Sequence, residues 1–236
     1  MEQEKEFDLR GTSFCIGMPM YGTIPAQTVI SLVDTVREFN QQGIDLALTY
    51  EMNNSIIQNA RNNIVHNFLN KSGADKLICI DSDIVWKTED LIRLCCWSTV
   101  FPFVGAMYPT KNETYKFIGQ YGESKGSLEV KTNQYGLLKM RGFGMGFVII
   151  DRSVFEKMKP FAPLYNHNTE QNVHRFFDID LQDGHLRGED IYFMNQWIDK
   201  AGGEIWVDPN IELGHVGTKV YSAKLKNALV AVNTAA

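Results

Sequence analysis

Two aspartates, Asp81 and Asp83, are the residues of this sequence whose type and spacing most clearly indicate chemistry. They follow residues 77–80, an apolar run that predicts a strand buried on both faces. Ligands bind at the carboxyl ends of strands in open α/β sheets, and two carboxylates in one turn can hold a hard cation such as Mg²⁺ or Mn²⁺. The alternative is that both acids only cap a turn before a helix that begins at Thr88.

Three further residues could complete such a site. Glu189 and Asp190 open a predicted helix, where a carboxylate can act as general base on a bound hydroxyl. Acids at this position also stabilise a helix dipole without any catalysis. His215 is flanked by glycines at 214 and 217, and its imidazole could bind a Mn²⁺-class ion or be a structural residue.

Other candidates carry weaker signals. Arg61, on a predicted helix, could reach a phosphate or a base, or lie on the surface. The glycines at 142, 144 and 146 do not match the dinucleotide-binding spacing, and could face a substrate or mark a kinked strand. A second acidic pair, Asp178 and Asp180, follows no strong strand and ranks far below the first. Tyr21 and Lys111 complete this group.

The elements that must position these residues alternate along the chain. Strands are predicted at 14–19, 46–50 and 77–80, and helices at about 25–40, at about 57–73 and from residue 88. Val29, Ile30, Val33 and Val36 recur at the spacing of an amphipathic helix. This alternation predicts βαβ units and an α/β fold, with a mainly parallel central sheet flanked by helices.

The second half of the sequence has a different pattern. Short strands and glycine-rich turns are predicted from 103 to 150, followed by a short helix at 152–159, a helix at 188–201 and a strand at 204–207. Residues 160–187 are polar, and we expect a long irregular loop there that could act as a lid and exclude water. The tail after residue 222 is expected to be helical or frayed.

Composition excludes several classes of function. With 236 residues, of which 44% are apolar, the chain is expected to form one domain, 1–236. A net charge of -5 does not favour nucleic-acid binding. The four cysteines form no C-x-x-C pair and indicate reduced thiols in a cytoplasmic protein. Neither a signal peptide nor a transmembrane segment is predicted.

Taken in order, these residues resemble the GT-A glycosyltransferases, which use a nucleotide sugar and carry a D-x-D motif. The resemblance covers roughly residues 12–218, and the small size is similar to compact bacterial or phage-encoded members. The segments that carry it are 18–22, 60–62, 80–84, 104–109, 144–147, 188–190 and His215. It implies a single GT-A domain with a nucleotide-sugar-binding half (about 12–110), a smaller mixed or antiparallel acceptor-binding half (about 111–218) and a tail (219–236).

The resemblance also implies roles for individual residues. The metal, Mn²⁺ or Mg²⁺, would be held by Asp83 and His215, with Asp81 on the metal or the ribose. The acids at the junction of the halves, Asp190 and Glu189, would be catalytic, with Asp190 as the base of an inverting enzyme. The donor would be a UDP-sugar or, less favoured, a GDP-sugar, and the acceptor a glycan, lipid-linked or protein hydroxyl. Residues expected to bind the donor are Pro19, Tyr21, Arg61, Asp81, Ser82, Gly144 and Gly146. A phage-encoded member would act in the host cytoplasm.

Two alternatives remain open from the sequence. The acids after residue 80 also fit the first motif of haloacid-dehalogenase-like phosphatases, in which Asp81 would be a covalent nucleophile. That motif usually follows the first strand, whereas two strand–helix units precede it here. The other alternative is a module that binds nucleotide sugars or carbohydrates without catalysis. Its exposed aromatic residues would be Trp86, Tyr115, Tyr121 and Tyr135, which could equally be packing residues.

Overall fold

The structure of the protein, a computed structural model, describes residues 7–112, 116–121, 130–167, 170–217 and 219–233. Its strands are β1 (Phe14–Met20), β2 (Leu46–Met52), β3 (Lys76–Ile80), β4 (Ile84–Val85), β5 (Phe103–Gly105), β6 (Gly119–Tyr121), β7 (Lys131–Thr132), β8 (Leu138–Phe143), β9 (Phe147–Asp151), β10 (Leu164–His167), β11 (Glu170–His174), β12 (Asp180–Gln182), β13 (His185–Arg187), β14 (Ile205–Val207), β15 (Glu212–Val216) and β16 (Val220–Lys224). Its helices are α1 (Ala26–Gln42), α2 (Ile57–Asn67), α3 (Thr88–Ser98), α4 (Arg152–Met158), α5 (Glu189–Ala201) and α6 (Leu225–Asn233). A π-helical turn (Phe68–Ser72) extends α2, and a 3-10 turn (Lys159–Phe161) follows α4.

Nine strands of the described chain form one central sheet. Its order is β2-β1-β3-β9-β5-β14-β8-β6, with β7 also paired to β8. β1 is parallel to both β2 and β3, and β14 is parallel to β5. Only β9 and β8 run against the direction of the others. The sheet is therefore mixed but runs mainly in one direction.

Helices cover both faces of this sheet. On one face, Ile64, Phe155 and Phe193 bring α2, α4 and α5 into one apolar cluster. On the other face, Phe39 of α1 and Leu91 of α3 lie in a second cluster. All five residues of β3 are buried between these layers, which explains the apolar run that ends just before the two aspartates.

A separate three-stranded sheet, in the order β16-β15-β4, joins the end of the chain to the segment after β3. His215 of β15 pairs with Ile84 of β4, and the Val216 N–H donates to the carbonyl of Asp83 at 2.8 Å. β4 begins directly after Asp83. This pairing fixes His215 beside Asp83, although the two residues are far apart in the sequence.

The two predicted halves share one sheet. β9, from the second half, lies between β3 and β5 of the first half, and β14 pairs with β5. The ranges 12–110 and 111–218 therefore have a common core. Their division into nucleotide-binding and acceptor-binding parts stays a prediction.

The prediction of a long irregular loop at 160–187 is wrong, because this stretch forms two antiparallel hairpins, β10–β11 and β12–β13. Asp183 and Gly184, in the second turn, have φ values of 51° and 77°, as Asp-Gly hairpin turns require. Between the hairpins, Phe177 exchanges two hydrogen bonds of 2.9 and 3.0 Å with the Asn62 side chain of α2. The proposed lid is therefore attached to α2 at this point.

Helix α1 is present as predicted, but the four apolar residues that predict it are on the outside. The four exposed residues, 41–61% accessible, are Val29, Ile30, Val33 and Val36. The inward face instead carries Thr28, Ser31 and Thr35, and two of these satisfy polar groups of Trp86. The Ser31 hydroxyl donates to the Trp86 carbonyl at 2.8 Å, and the indole N–H donates to Thr35 Oγ1 at 2.9 Å. The buried face of α1 therefore combines an apolar residue, Phe39, with polar partners of one tryptophan.

The structure also describes the cysteines and the apolar character of the helices. All four cysteines are free thiols. Burial raises the pKa of Cys15 to about 11 and that of Cys79 to about 12, so these thiols are unreactive core residues. Among the described helices, none has the length and apolar character needed to cross a bilayer. Cytoplasmic location stays a prediction.

Candidate active site

A buried arginine joins the turn after β3 to the beginning of α5. The Arg61 side chain is 7% exposed, and its Nη1 lies 2.9 Å from Asp81 Oδ1. Its Nη2 donates to Asp81 Oδ2 at 3.2 Å, and its Nε donates to Glu189 Oε1 at 3.1 Å. The structure thus brings together three residues that the sequence singled out separately.

The charge of Arg61 is stabilised by these partners. Burial would lower the pKa of the guanidinium, but the negative charges of Asp81 and Glu189 outweigh burial and raise its pKa above the ordinary value. The sequence predicts that Arg61 contacts the nucleotide sugar. Its donors face two carboxylates instead, so in this geometry Arg61 positions Asp81 and Glu189. Direct contact with a donor stays a prediction.

We expect Arg61→Met to lower the free energy of unfolding by about 3–5 kcal/mol, because it leaves two shielded carboxylates without a cation. Arg37→Met is the matched control, since Arg37 pairs with Asp34 on the exposed surface of α1 and should contribute less than about 1 kcal/mol. Denaturant titration of both variants measures the difference. Equal losses would contradict the bridging role.

Asp83 and His215 form the second half of the site. His215 Nδ1 lies 2.9 Å from the carbonyl oxygen of Pro109, which only accepts, so Nδ1 carries the proton. His215 Nε2 lies 3.3 Å from Asp83 Oδ2. When the His215 ring is neutral, Nε2 presents a lone pair toward this carboxylate. When the ring is charged, Nε2 donates a hydrogen bond to Asp83. The ammonium of Lys111 lies 2.5 Å from the same oxygen. An Asp83 carboxylate oxygen and an imidazole nitrogen thus converge on a place that suits a cation.

Asp83 is ionised over the ordinary pH range. Burial would raise the pKa of its carboxyl, but hydrogen bonds from His215 and Lys111 lower that pKa to about 2. An ionised carboxylate and an imidazole oriented by a backbone carbonyl fit a Mn²⁺ or Mg²⁺ ion. Such ions commonly take one or two protein ligands and complete their shell with phosphate oxygens and water.

Asp81 is not placed with this pair. Its carboxylate faces Arg61, and within the described part of the chain no three His, Cys, Asp or Glu side chains are grouped so as to hold a metal together. The ligand atoms that suit a cation therefore belong to Asp83 and His215, whereas Asp81 pairs with Arg61. A direct bond from Asp81 to a metal or ribose stays a prediction.

Asp190 has the most perturbed carboxyl group of the site. Burial is the main cause and the charge of Glu189 the second, and together they raise its pKa to about 6. Its Oδ1 accepts the Ile191 N–H at 2.7 Å, which fixes the side chain at the first turn of α5. A carboxylate with a pKa this close to neutrality is suited to taking a proton from a hydroxyl group.

Tyr108 is a site residue that sequence reasoning did not select. Its ring contacts the His215 ring at 4.9 Å in an edge-to-face arrangement. Burial and the charge of Asp81 raise the pKa of its hydroxyl well above the usual value. Its position a few residues beyond β5, another strand that ends at this edge of the sheet, was the available signal.

The predicted glycines make room for this tyrosine. A Cβ atom at Gly146 would lie 2.7 Å from Tyr108 Cε1 and 2.9 Å from Asp81 Oδ2, and one at Gly144 would overlap the Tyr108 hydroxyl. Glycine at both positions is therefore needed for the packing of the site itself. Contact of these glycines with a nucleotide sugar stays a prediction.

The remaining predicted residues have varied positions. Pro19 lies at the end of β1 and lines a small cavity with Arg61. Tyr21 follows that strand and is 69% exposed, and Ser82 is partly buried in the turn between the two aspartates. The second acidic pair is used by the hairpin region, where Asp178 pairs with Arg175 and Asp180 pairs with Arg187. Both carboxylates thus take part in local ion pairs.

The aromatic residues of the carbohydrate-module alternative differ in their exposure. Trp86 is 4% exposed and hydrogen-bonded to α1, so it is not available to stack on a sugar. The Tyr135 ring packs against Trp97, with 5.4 Å between ring centroids. Tyr121 is partly buried, and Tyr115 lies outside the described residues. Trp86 therefore gives that alternative no support, whereas Tyr135 is 39% exposed.

The phosphatase alternative also meets a difficulty. Asp81 follows β3, which is the third strand of the chain, and both of its oxygens face Arg61. A nucleophilic carboxylate needs an oxygen directed at the substrate. The geometry favours a positioning role for Asp81.

Comparison with known proteins gives a likeness in fold. No protein-family model and no curated protein sequence matches this chain. A197 from STIV is similar over 91% of both chains, with 15% sequence identity and a TM-score of 0.55. GalNAc-T7, solved with UDP, GalNAc and Mn²⁺, is 11% identical over 87% of this chain and 44% of that chain, with a TM-score of 0.46. A glycosyltransferase involved in the glycosylation of the major capsid of PBCV-1 is 10% identical over 60% of this chain and 62% of that chain, with a TM-score of 0.31.

Of these three structures, A197 alone has a TM-score above 0.5, and its likeness to this chain is one of fold. The predicted α/β fold class is confirmed: the central sheet is mixed, runs mainly in one direction and is flanked by helices.

Proposed function

We propose that the protein is a metal-dependent glycosyltransferase, which moves a sugar from a nucleotide-diphosphate sugar to a hydroxyl acceptor. One observation carries the proposal, a charged cluster beyond the end of β3. Asp83 lies against His215, which we propose as the cation-binding pair, and Asp190 interacts electrostatically with Arg61 and Asp81. The Arg61 bridge between Asp81 and Glu189 links their two segments. The α/β fold is the one that the resemblance to the GT-A glycosyltransferases implies, and it supports the same proposal.

Asp83 and His215 would act on the nucleotide-sugar donor, as ligands of the metal at its diphosphate. A divalent cation, Mn²⁺ or Mg²⁺, would supply positive charge that stabilises the nucleoside diphosphate as it leaves. Asp83 contributes an ionised oxygen and His215 a nitrogen oriented by the Pro109 carbonyl. Lys111 pairs with Asp83 in this structure, and its ammonium would bind a phosphate oxygen if a metal displaced it from the carboxylate. We favour a UDP-sugar over a GDP-sugar.

The acceptor side belongs to Asp190. In an inverting reaction this carboxylate takes the proton of the attacking hydroxyl on the face of the sugar opposite the leaving group. In a retaining reaction the same acid holds acceptor hydroxyls. Glu189 supports either role, because its contact with Arg61 fixes the first turn of α5 and its charge helps raise the pKa of Asp190. The acceptor is a glycan, lipid-linked or protein hydroxyl.

A thermal-shift screen of nucleotide sugars tests the proposal. A UDP-sugar should raise the melting temperature only when Mn²⁺ or Mg²⁺ is present, because a ligand that binds the native state stabilises it by mass action. At a ligand concentration of 100 times Kd the stabilisation is about 2.7 kcal/mol. Equal shifts in EDTA would count against a metal-held diphosphate. Release of phosphate from simple phosphate esters, without a sugar donor, would favour a phosphatase instead.

A further inference from the structure

An apolar surface is exposed where α1 lies beside β2, the edge strand of the central sheet. We call it the α1–β2 surface. Six side chains form it, and each is 41–61% exposed. They are Val29, Val33, Val36, Leu48, Tyr50 and Met52. A continuous apolar surface of this extent on a globular protein usually marks an interaction site.

The two elements present these side chains on the same side of the sheet. Leu48, Tyr50 and Met52 alternate along β2 and pair in register with residues 16, 18 and 20 of β1, which belong to the core cluster beneath α1. On α1, the flank with Ser31 and Asp34 lines the groove toward β4 and α3. The valines at 29, 33 and 36 are on the other flank, toward the open edge of the sheet.

The edge strand lacks the features that usually prevent association. In the described chain, β2 pairs with β1 on one side and with no strand on the other. Natural edge strands are commonly protected by lysine, proline or a bulge. β2 contains none of these, and its one charged residue, Glu51, is turned away and accepts hydrogen bonds from Asn54 and Asn63.

We propose that the α1–β2 surface is a homodimer interface, in which two copies of this chain meet about a two-fold axis with their β2 edges antiparallel. The six side chains expose on the order of 500 Å² per copy, so a dimer would bury about 1,000 Å² of apolar surface alone, near the lower bound for a specific interface. The six side chains are uncharged, so identical copies can meet there without like-charge repulsion, although each chain has a net charge of -5.

Sedimentation equilibrium and light scattering of the full chain test this interface. The wild type should show a concentration-dependent mass that approaches twice 26.8 kDa. Hydrogen exchange of the amides of residues 46–52 should slow as the protein concentration rises, because the outward N–H groups of β2 become paired. A monomer at all concentrations, or exchange that does not depend on concentration, would overturn the proposal.

Two substitutions place a charge in the interface, and a third is the control. Val33→Glu and Leu48→Lys should each raise the dimer dissociation constant by about tenfold or more, since each appears twice across a two-fold axis. Both positions are exposed in the monomer fold, so melting temperatures should confirm that the variants fold. Leu181→Lys changes an equally apolar, 73% exposed residue of β12 and should leave the dissociation constant unchanged. Weakening by the control alone, or by none of the three, would refute the α1–β2 interface.

Discussion

Asp190→Asn is expected to slow sugar transfer by about 10²–10⁴-fold while donor binding is retained. The asparagine keeps the size of the side chain and the oxygen that accepts the Ile191 N–H, but it cannot take a proton. The loss should therefore appear in kcat, measured by initial rates with a saturating nucleotide sugar. Transfer by the variant at the wild-type rate would show that Asp190 is not the base.

The pH dependence of the wild type follows from the same group. The base must be deprotonated, and burial raises the pKa of Asp190 to about 6, so the transfer rate should rise with pH through about 6. The nucleotide sugar must be saturating, so that the profile reports the complex rather than donor binding.

As the pH rises, the free energy of unfolding should fall while the transfer rate rises. The pKa of Asp190 is about 6 in the fold, above the ordinary value of 3.8, so its ionisation destabilises the fold as the pH rises through this interval. Asp190→Asn should therefore be more stable than the wild type above pH 6, by on the order of 3 kcal/mol, and the difference should vanish below about pH 4. An inactive variant that is more stable cannot owe its inactivity to unfolding.

Asp199→Asn is the control for this experiment. Asp199 belongs to the last part of the same helix, is half-exposed and pairs with Arg141. Its replacement should leave the transfer rate unchanged. A comparable loss of transfer in both variants would indicate a general effect on α5 instead of a role for Asp190.

Asp83→Asn is expected to weaken the binding of Mn²⁺, in the presence of UDP, by more than about 100-fold. The substitution removes the charged oxygen of the pair, whereas even residues that only orient a metal ligand typically account for 10–100-fold in affinity. Isothermal titration calorimetry with UDP at saturation measures the effect without any turnover.

Lys111→Met provides the opposite control. The Lys111 ammonium lies on the same Asp83 oxygen, so it competes with a metal for that ligand in the absence of nucleotide. Its removal should leave the affinity for Mn²⁺ alone unchanged or increase it, while Asp83→Asn decreases it. A decrease of similar size in both variants would argue against a metal on Asp83.

Local sequence patterns predict much of this fold and part of the site. An apolar run ended by two aspartates predicts β3 and the acidic turn, because burial on both faces leaves no polar position inside the strand. The two acids before an apolar helical pattern predict the start of α5 at Glu189. Such features depend on neighbouring residues, which the sequence displays directly.

Other features depend on packing between distant segments. Nothing near Arg61 in the sequence indicates that it bridges Asp81 and Glu189, since that contact needs α2, the turn after β3 and α5 in one place. The spacing of the four exposed apolar residues predicts α1 but not the face it buries, which carries Phe39 and the polar partners of Trp86. The Asp-Gly pair at 183–184 was a local signal for the β12–β13 hairpin, but the short polar strands around it lack the alternation that identifies a sheet.

Diffraction from crystals soaked with Mn²⁺ and UDP, recorded for the anomalous signal of manganese, tests the central claim most directly. The account predicts one strong peak at about 2.2 Å from an Asp83 carboxylate oxygen and from His215 Nε2, with the UDP diphosphate on its open side. A manganese peak elsewhere, or ordered UDP bound away from these two side chains, would contradict it.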